Sequence, residues 1–208
     1  MKRHSYHHGD LANALTEAAI ELARAGGPEA IVLREAARQV GVSATAAYRH
    51  FAGHGDLMHA VKERSAVQLA ERMMAELART PPAADARGEA ERRMWAFGQG
   101  YLRFALEEPG LFRAAFCRPD SKSGLPQPPP DLGHIRPYQM LVEAIDDLVN
   151  VGIMAPSMRS WAEFFAWSSV HGLAMLLLDG PLAKCTPEER EQIIERVLAG
   201  VRHGLTAR

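Results

Sequence analysis

Apolar residues recur at three- and four-residue spacing along most of this chain, and no stretch alternates with the two-residue period of a half-buried strand. Leu11, Ala14, Leu15, Ala18, Ala19 and Leu22 form one stripe. They predict a helix capped by Asp10 that runs to about Ala25, before Gly26-Gly27-Pro28. Leu33, Ala36, Ala37 and Val40 give a short helix over Leu33–Val40, with Gly41 where a helix end turns left-handed and Val42 to plug the corner. Ser43 can cap a second short helix, Ala44–His50, held down by Ala47 and Phe51. Gly53–Gly55 breaks the chain, and Asp56 can cap a long helix over Leu57–Ala78 that spans about 33 Å and ends before Pro81-Pro82.

Further helices are predicted over Glu89–Leu106, over Pro109–Phe116, over Leu132–Val149 and over a strongly apolar run from Pro156 to Leu178. Thr186, Pro187 and Glu189 have capping-box spacing and open a last helix with the stripe Ile194, Val197, Leu198, Val201 and Leu205. The pattern as a whole predicts an all-α chain of about nine helices. Its organisation reads as a small module over residues 1–55, a linking helix over 56–80 and a larger helical domain over 81–208. A single long helix shared by two domains is a mechanical link.

With 208 residues, 47% of them hydrophobic, the chain can bury a substantial core and is not a disordered segment. Cys117 and Cys185 show no metal-ligand spacing. With no signal peptide and no apolar run long enough to span a bilayer, the expectation is a cytoplasmic protein with reduced thiols and no membrane partner. No cofactor or metal is implied. The first residues, MKRHSYHHG, read either as an unstructured terminus or as a basic arm reaching a neighbouring groove. The Pro-rich stretch 118–137 reads as a loop; a polyproline ligand is the alternative there.

Charge changes the picture at one place. The formal net charge is only -1, yet no acid lies between Glu35 and Asp56, while Arg38, Arg49, His50 and His54 do. A local acid-free window in a balanced protein is a footprint for a polyanion. Ala44, Thr45, Tyr48 and Arg49 share one face of the second short helix, small, hydroxyl-bearing or basic, and such a face suits a DNA major groove. An ordinary helical hairpin with a solvated basic face reads equally well from spacing alone.

The run LREAARQVGVSATAAYRHF resembles the helix-turn-helix of the TetR family of transcriptional regulators. Gly41-Val42-Ser43 and Tyr48-Arg49-His50-Phe51 match its turn and the end of its recognition helix, and Tyr6-His7-His8-Gly9-Asp10-Leu11 looks like the start of one subgroup. The resemblance implies phosphate contacts for Tyr48 and His50, base-edge contacts near Ala44, Thr45 and Ala46, and a core role for Phe51; Arg34, Ser43, Arg49 and His54 complete the expected DNA-contacting set. Two positions depart from the pattern. Val32 stands where Ser or Thr often caps the first helix, and His54 where Lys is frequent. Both imply weaker phosphate anchoring. Trp167-Ser168-Ser169-Val170-His171-Gly172-Leu173 resembles a Trp-His-Gly signature of one C-terminal domain type in that family.

The apolar run Pro156–Leu178 must be covered on both sides, and with the last helix it offers a self-complementary surface for a second copy. The expected homodimer interface is Ile194, Val197, Leu198, Val201 and Leu205, with Gly172 and Ala174 allowing close helix approach; plain core is the alternative. Trp95, Tyr101, Phe112, Phe165 and His171 could bound an apolar pocket, or be core, and the resemblance implies an effector pocket in this domain. No phosphate loop, zinc-binding His-Glu-x-x-His or nucleophile elbow is present, so an enzyme is not expected. The expectation is a homodimeric, ligand-responsive regulator of double-stranded DNA, a repressor released by a small-molecule effector; the alternative is a helical ligand-binding or scaffolding protein whose hairpin contacts protein.

Overall fold

The computed structural model describes residues 8–116, 133 and 135–206. The N-terminal arm, the Pro-rich loop and Cys117 therefore lie outside the described residues, apart from their edges. Among the described residues there are nine α-helices and no strand, as the periodicity predicts. They fall into two compact units, one gathering the chain up to Ala66 with Glu108–Pro130, the other Val67–Glu107 with Asp131–Arg208.

The first unit contains α1 (His8–Gly26), α2 (Leu33–Val40), α3 (Ala44–Ala47), the first half of α4 (His54–Arg79) and α6 (Pro109–Phe116). α1 opens at His8, so Asp10 lies within its first turn and is not its cap. Its stripe is buried at Leu11, Leu15, Ala18 and Ala19, joined by Ile20 and Ala23, and faces Leu33, Ala36 and Ala37 of α2. α4 starts at His54, three residues earlier than Asp56 capping would allow. Asp56 instead reaches back, its Oδ2 accepting from the Ala52 N–H at 2.9 Å. An acid inside the first turn thus satisfies a donor just before the helix. α6 packs on α1 through Gly110: a Cβ there would lie 2.1 Å from the Ala23 carbonyl oxygen. Arg24 holds the same seam by donating from Nε to Glu108 at 2.9 Å and from a terminal nitrogen to Glu21 at 2.5 Å.

The second unit contains the rest of α4, α5 (Ala86–Glu107), α7 (Arg136–Asn150), α8 (Ala162–Leu178) and α9 (Pro187–Thr206). α5 starts three residues before the predicted Glu89 because Asp85 caps it, accepting from Gly88 N–H at 2.7 Å. α5 crosses α4 at Gly100, where a Cβ would meet Met73 Cα at 2.6 Å. Arg92 of α5 then donates to the carbonyls of Leu77 and Thr80 at 2.7 and 2.8 Å, capping the end of α4. Glu89 orients that guanidinium through two bonds of 2.7 and 2.5 Å, and Arg92 in turn lowers the Glu89 pKa to about 2. The Thr186–Glu189 capping box is formed in both directions, at 2.9 and 3.2 Å.

Three expectations need correction here. Pro156 opens only a single 3-10 turn, Pro156–Met158; Trp161 then takes a left-handed φ of 64°, and α8 starts after it at Ala162. α7 begins at Arg136, four residues later than predicted, with Pro137 in its first turn. The stripe of α9 does not face outward: Ile194, Leu198, Val201 and Leu205 are buried within the unit, and Val201 and Leu205 pack with Ala90, Ile145, Leu148, Met154, Ala162 and Ala166, with Val197 at their edge. An amphipathic helix turns its apolar stripe to the nearest core, and this unit supplies one from α5, α7 and α8. Ala174 is likewise interior, whereas Gly172 faces outward, with open space where its Cβ would be.

Close backbone contact at a glycine is a sharp stability test. Gly100→Ala and Gly110→Ala should each cost about 1–3 kcal/mol, because the neighbours at 2.6 and 2.1 Å are backbone atoms that cannot swing aside. Gly55→Ala, in the exposed first turn of α4 with nothing within 4 Å, should instead be neutral or stabilising by up to about 1 kcal/mol. Thermal unfolding of the three variants checks this, at about 2–4 °C for each kcal/mol.

Candidate nucleic-acid interface and aromatic cluster

Residues 33–51 form the corner that the sequence predicts. Gly41 takes a left-handed φ of 78°, and the N–H groups of Gly41 and Val42 bond back to α2, Val42 to the Ala37 carbonyl at 2.9 Å. Ser43 caps α3, its Oγ accepting from Ala46 N–H at 3.2 Å. α-Helical geometry ends at Ala47, earlier than the predicted His50, but backbone bonds from Tyr48 to Ala44 and from Phe51 to Ala47 carry the coil through Phe51. Ala47 and Phe51 are buried, which holds this short element on its neighbours. Val32 stands before α2 in extended conformation without a side-chain cap bond, as its chemistry dictates.

The residues singled out for DNA contact emerge on one continuous stretch of surface chain. Arg34, Ser43, Thr45, Tyr48, Arg49 and His54 are exposed, and Ala44, Ala46 and His50 are half-buried. Tyr48 keeps 46% of its surface accessible, unusual for a tyrosine without a role outside the core. Arg38 differs from the sequence reading. Glu35 holds its guanidinium bidentately, at 2.9 and 2.6 Å, and each group pushes the other's pKa further toward its charged form. That pair is electrically closed. Among the described residues Arg34 and Arg49 are exposed and make no ion pair, so they carry the positive potential of this surface.

In the second unit, Tyr101 and His171 come together as the sequence anticipated. The Tyr101 hydroxyl and His171 Nδ1 are 2.8 Å apart, and Trp167 donates from Nε1 to the same hydroxyl at 3.2 Å. Indole can only donate, so the Tyr101 oxygen accepts from Trp167, while the direction of its bond with Nδ1 is set by the imidazole tautomer. Burial drives the Tyr101 pKa well above the ordinary phenol range and pulls that of His171 down, so both stay neutral and their bond is kept. Tyr138 of α7 stacks its edge on Trp167 and also meets Phe164, with centroids 6.3 and 6.2 Å away.

Three of the expected pocket residues have other surroundings. Trp95 is half-buried on α5, six residues from Tyr101 and so about 120° away around the helix. Phe112 belongs to the first unit, where it is fully buried and packs on Phe116 at 4.8 Å. Phe165 lies over Gly204 of α9 on the outer side of α8. Trp167 was legible in the sequence as the residue one helical turn before His171; Tyr138, on another helix, carried no such signal.

Comparison with known proteins agrees with this geometry. The family described as "Bacterial regulatory proteins, tetR family" matches residues 15–61, and "Tetracyclin repressor-like, C-terminal domain" matches residues 94–201. No curated protein matches the chain at a significant level. Among solved structures, a protein of unknown function from Rhodococcus sp. RHA1 is 22% identical with a TM-score of 0.74, covering 98% of this chain and 100% of that one. A TetR family transcription regulator from Marinobacter aquaeolei VT8 is 20% identical with a TM-score of 0.62, over 95% and 96% of the two chains. A TetR variant from Acinetobacter baumannii AYE, solved in complex with minocycline, is 17% identical with a TM-score of 0.58, over 96% of each. At such identities the structures share the fold. The two family matches, one on the helix-turn-helix and one over more than half of the chain, decide the matter: the chain belongs to the TetR family, whose members are DNA-binding transcription regulators and not enzymes.

Proposed function

We propose that this protein is a homodimeric, cytoplasmic repressor that leaves its operator when a small, mostly apolar organic molecule binds its C-terminal domain. The observation that carries the reading is the Gly41–Ser43 corner, which sets Thr45, Tyr48 and Arg49 on an exposed, acid-free surface. In this reading residues 1–55 dock on DNA, with Thr45 flanked by Ala44 and Ala46 at the base edges, and with Arg34, Ser43, Tyr48, Arg49, His50 and His54 on or near phosphates. Residues 56–80 link, and residues 81–208 carry the effector and dimer surfaces, save that α6 packs with the first unit.

The outer face of α8 supports the dimer. Phe165, Met175 and Leu176 are exposed at helical spacing around the small residues Ser168 and Gly172. Gly172 and Gly200 of α9 both have open space at the Cβ position, so a partner helix can approach closely. A contiguous apolar face of this kind marks an interaction surface, and a second copy satisfies it by twofold symmetry. This face, and not the buried stripe of α9, is the one assigned to the partner.

A ligand shifts the operator equilibrium only by binding one conformation better than another. α4 is one uninterrupted helix over His54–Arg79, so a tilt imposed on its second half is transmitted to its first. In a dimer such a tilt changes the spacing of the two recognition elements, which a stiff duplex resists. Coupling of about 1–3 kcal/mol gives a five- to hundredfold loss of operator affinity. The minocycline complex of the A. baumannii TetR variant supports a ligand site in this type of fold.

Random-duplex selection should enrich a near-palindromic sequence with half-sites about 34–36 Å apart or a multiple of it. Tyr48→Ala should weaken binding to all duplexes alike, and Thr45→Ala should relax preference at one base position by about 1–3 kcal/mol. Failure to enrich any motif, together with salt-independent binding, would exclude the reading.

For the dimer, Leu176→Glu should give a folded monomer by light scattering, because it places a charge on the outer face of α8. Val201→Glu should unfold the chain, because it buries one in the core. A folded Leu176→Glu dimer would put the interface elsewhere. Ser43→Ala should cost about 1 kcal/mol in thermal or denaturant unfolding, through the lost cap of α3.

A further inference from the structure

Rings in the second unit form a lane of successive ring contacts, with one exposed end and one buried end. Trp161 is 72% exposed, and its ring lies 5.8 Å from Phe164. Phe164 leads to Tyr138 at 6.2 Å, Tyr138 to Trp167 at 6.3 Å, Trp167 to His171 at 6.2 Å, and His171 to the buried Tyr101 at 6.4 Å. The deep end is neutral, because its three polar groups are hydrogen-bonded to one another and burial keeps both the phenol and the imidazole uncharged.

The charges beside this lane are unbalanced. Arg159, just before Trp161, donates to Asp146 of α7 at 2.5 Å and to Glu163 of α8 at 2.7 Å. Two carboxylates thus share one guanidinium, which leaves one negative charge over. Among the described residues, Arg136 is paired with Glu143 and Arg93 with Asp147, so neither cancels it. The effect reaches the rings. Burial first, and the Glu163 carboxylate next, push the Tyr138 phenol pKa up, with Arg159 offsetting only part. Aromatic faces are themselves electron-rich and attract cations within about 6 Å of a ring centroid.

We infer that the effector is an organic cation carrying a flat aromatic body, with its rings against Phe164, Tyr138 and Trp167 and its positive nitrogen beside Glu163. This rests on the reading of the C-terminal domain as the effector site, and adds to it the charge that the effector must carry. A carboxylate ligand would meet a surplus of acid and no uncommitted base among the described residues of the lane.

The test uses the full-length protein and three probes of one shape: 1-naphthylmethylammonium, 1-naphthalenemethanol and 1-naphthylacetate, each titrated by calorimetry at neutral pH. The ammonium should bind at least tenfold tighter than the alcohol, and the acetate most weakly. Glu163→Gln, checked for native helicity by circular dichroism, should remove most of the ammonium's advantage while leaving the alcohol unchanged. Phe164→Leu, at a half-exposed position, should weaken the ammonium several-fold without touching the acid cluster.

Equal binding of ammonium and alcohol, tightest binding of the acetate, an advantage that survives both substitutions, or no binding by any probe would each overturn the inference. Operator affinity measured in the same titrations separates it from the regulatory reading. Release by the alcohol or acetate alone would sustain that reading and sink the cation; Glu163-dependent ammonium binding without release would do the reverse.

Discussion

The second unit depends on the approach of α5 to α4 at Gly100. Side chains normally hold helix axes about 8–10 Å apart, and removing Cβ where the axes cross lets backbone meet backbone. The charges around that crossing could not fix it unaided. Glu76 is buried beside Arg103 at 3.6 Å and Arg79 at 4.0 Å, distances too long for good hydrogen bonds. Glu76 Oε2, Gln99 Oε1 and the Nε atoms of Arg72 and Arg103 are buried without a hydrogen-bond partner among the described residues. Underpaired groups of this kind cost stability. Steric fit at Gly100 and the capping of α4 by Arg92 therefore set the register, and the ion pairs follow it.

That constraint bears on function through the continuity of α4. A helix of 26 residues has no internal glycine or proline after Gly55 to act as a joint. A shift of α5 reaches the second half of α4 through contacts such as Gly100–Met73, which are too tight to slip gradually. Tightly packed seams of this sort switch between discrete arrangements more readily than they deform. The aromatic lane lies on α5, α7 and α8, so Tyr101, on the same helix as Gly100 and one residue after it, ties the lane-facing side of α5 to its α4-facing side.

What was legible in the sequence was local. Helix periodicity, the left-handed Gly41, the Ser43 cap and the Thr186–Glu189 box all depend on neighbours within a turn, and the structure has them where their chemistry requires. Errors arose where a local signal met a tertiary one. Asp10 and Asp56 are good caps by type, yet each sits inside its helix. Pro156 can start a helix, but the left-handed Trp161 interrupts it. The stripe of α9 is an apolar face, as its periodicity predicts, and in this unit it lies inside, because periodicity reveals that a face is buried and not by what. The pocket suffered the same loss. Tyr101, Trp167 and His171 share a hydrogen-bond chain, while Phe112 and Phe165 are equally aromatic and pack elsewhere. The Trp-His-Gly resemblance still rests on residue identity alone.

The seam between α6 and α1 has a consequence for the order in which the chain can fold. Arg24 and Glu108 are 84 residues apart in sequence, and the Gly110–Ala23 contact has nearly the same span. The first unit is thus discontinuous: the chain leaves it in the middle of α4 and returns only with α6. During synthesis the helix-turn-helix emerges early, but its α1 face stays uncovered until α5 has been made and α6 returns to it. Closing so long a loop carries an entropic cost that grows with its length. Native DNA-binding geometry is therefore completed late, after more than half of the chain is in place, and a chain cut short before α6 would expose the apolar side of α1 that Leu111 and Phe112 otherwise help to bury.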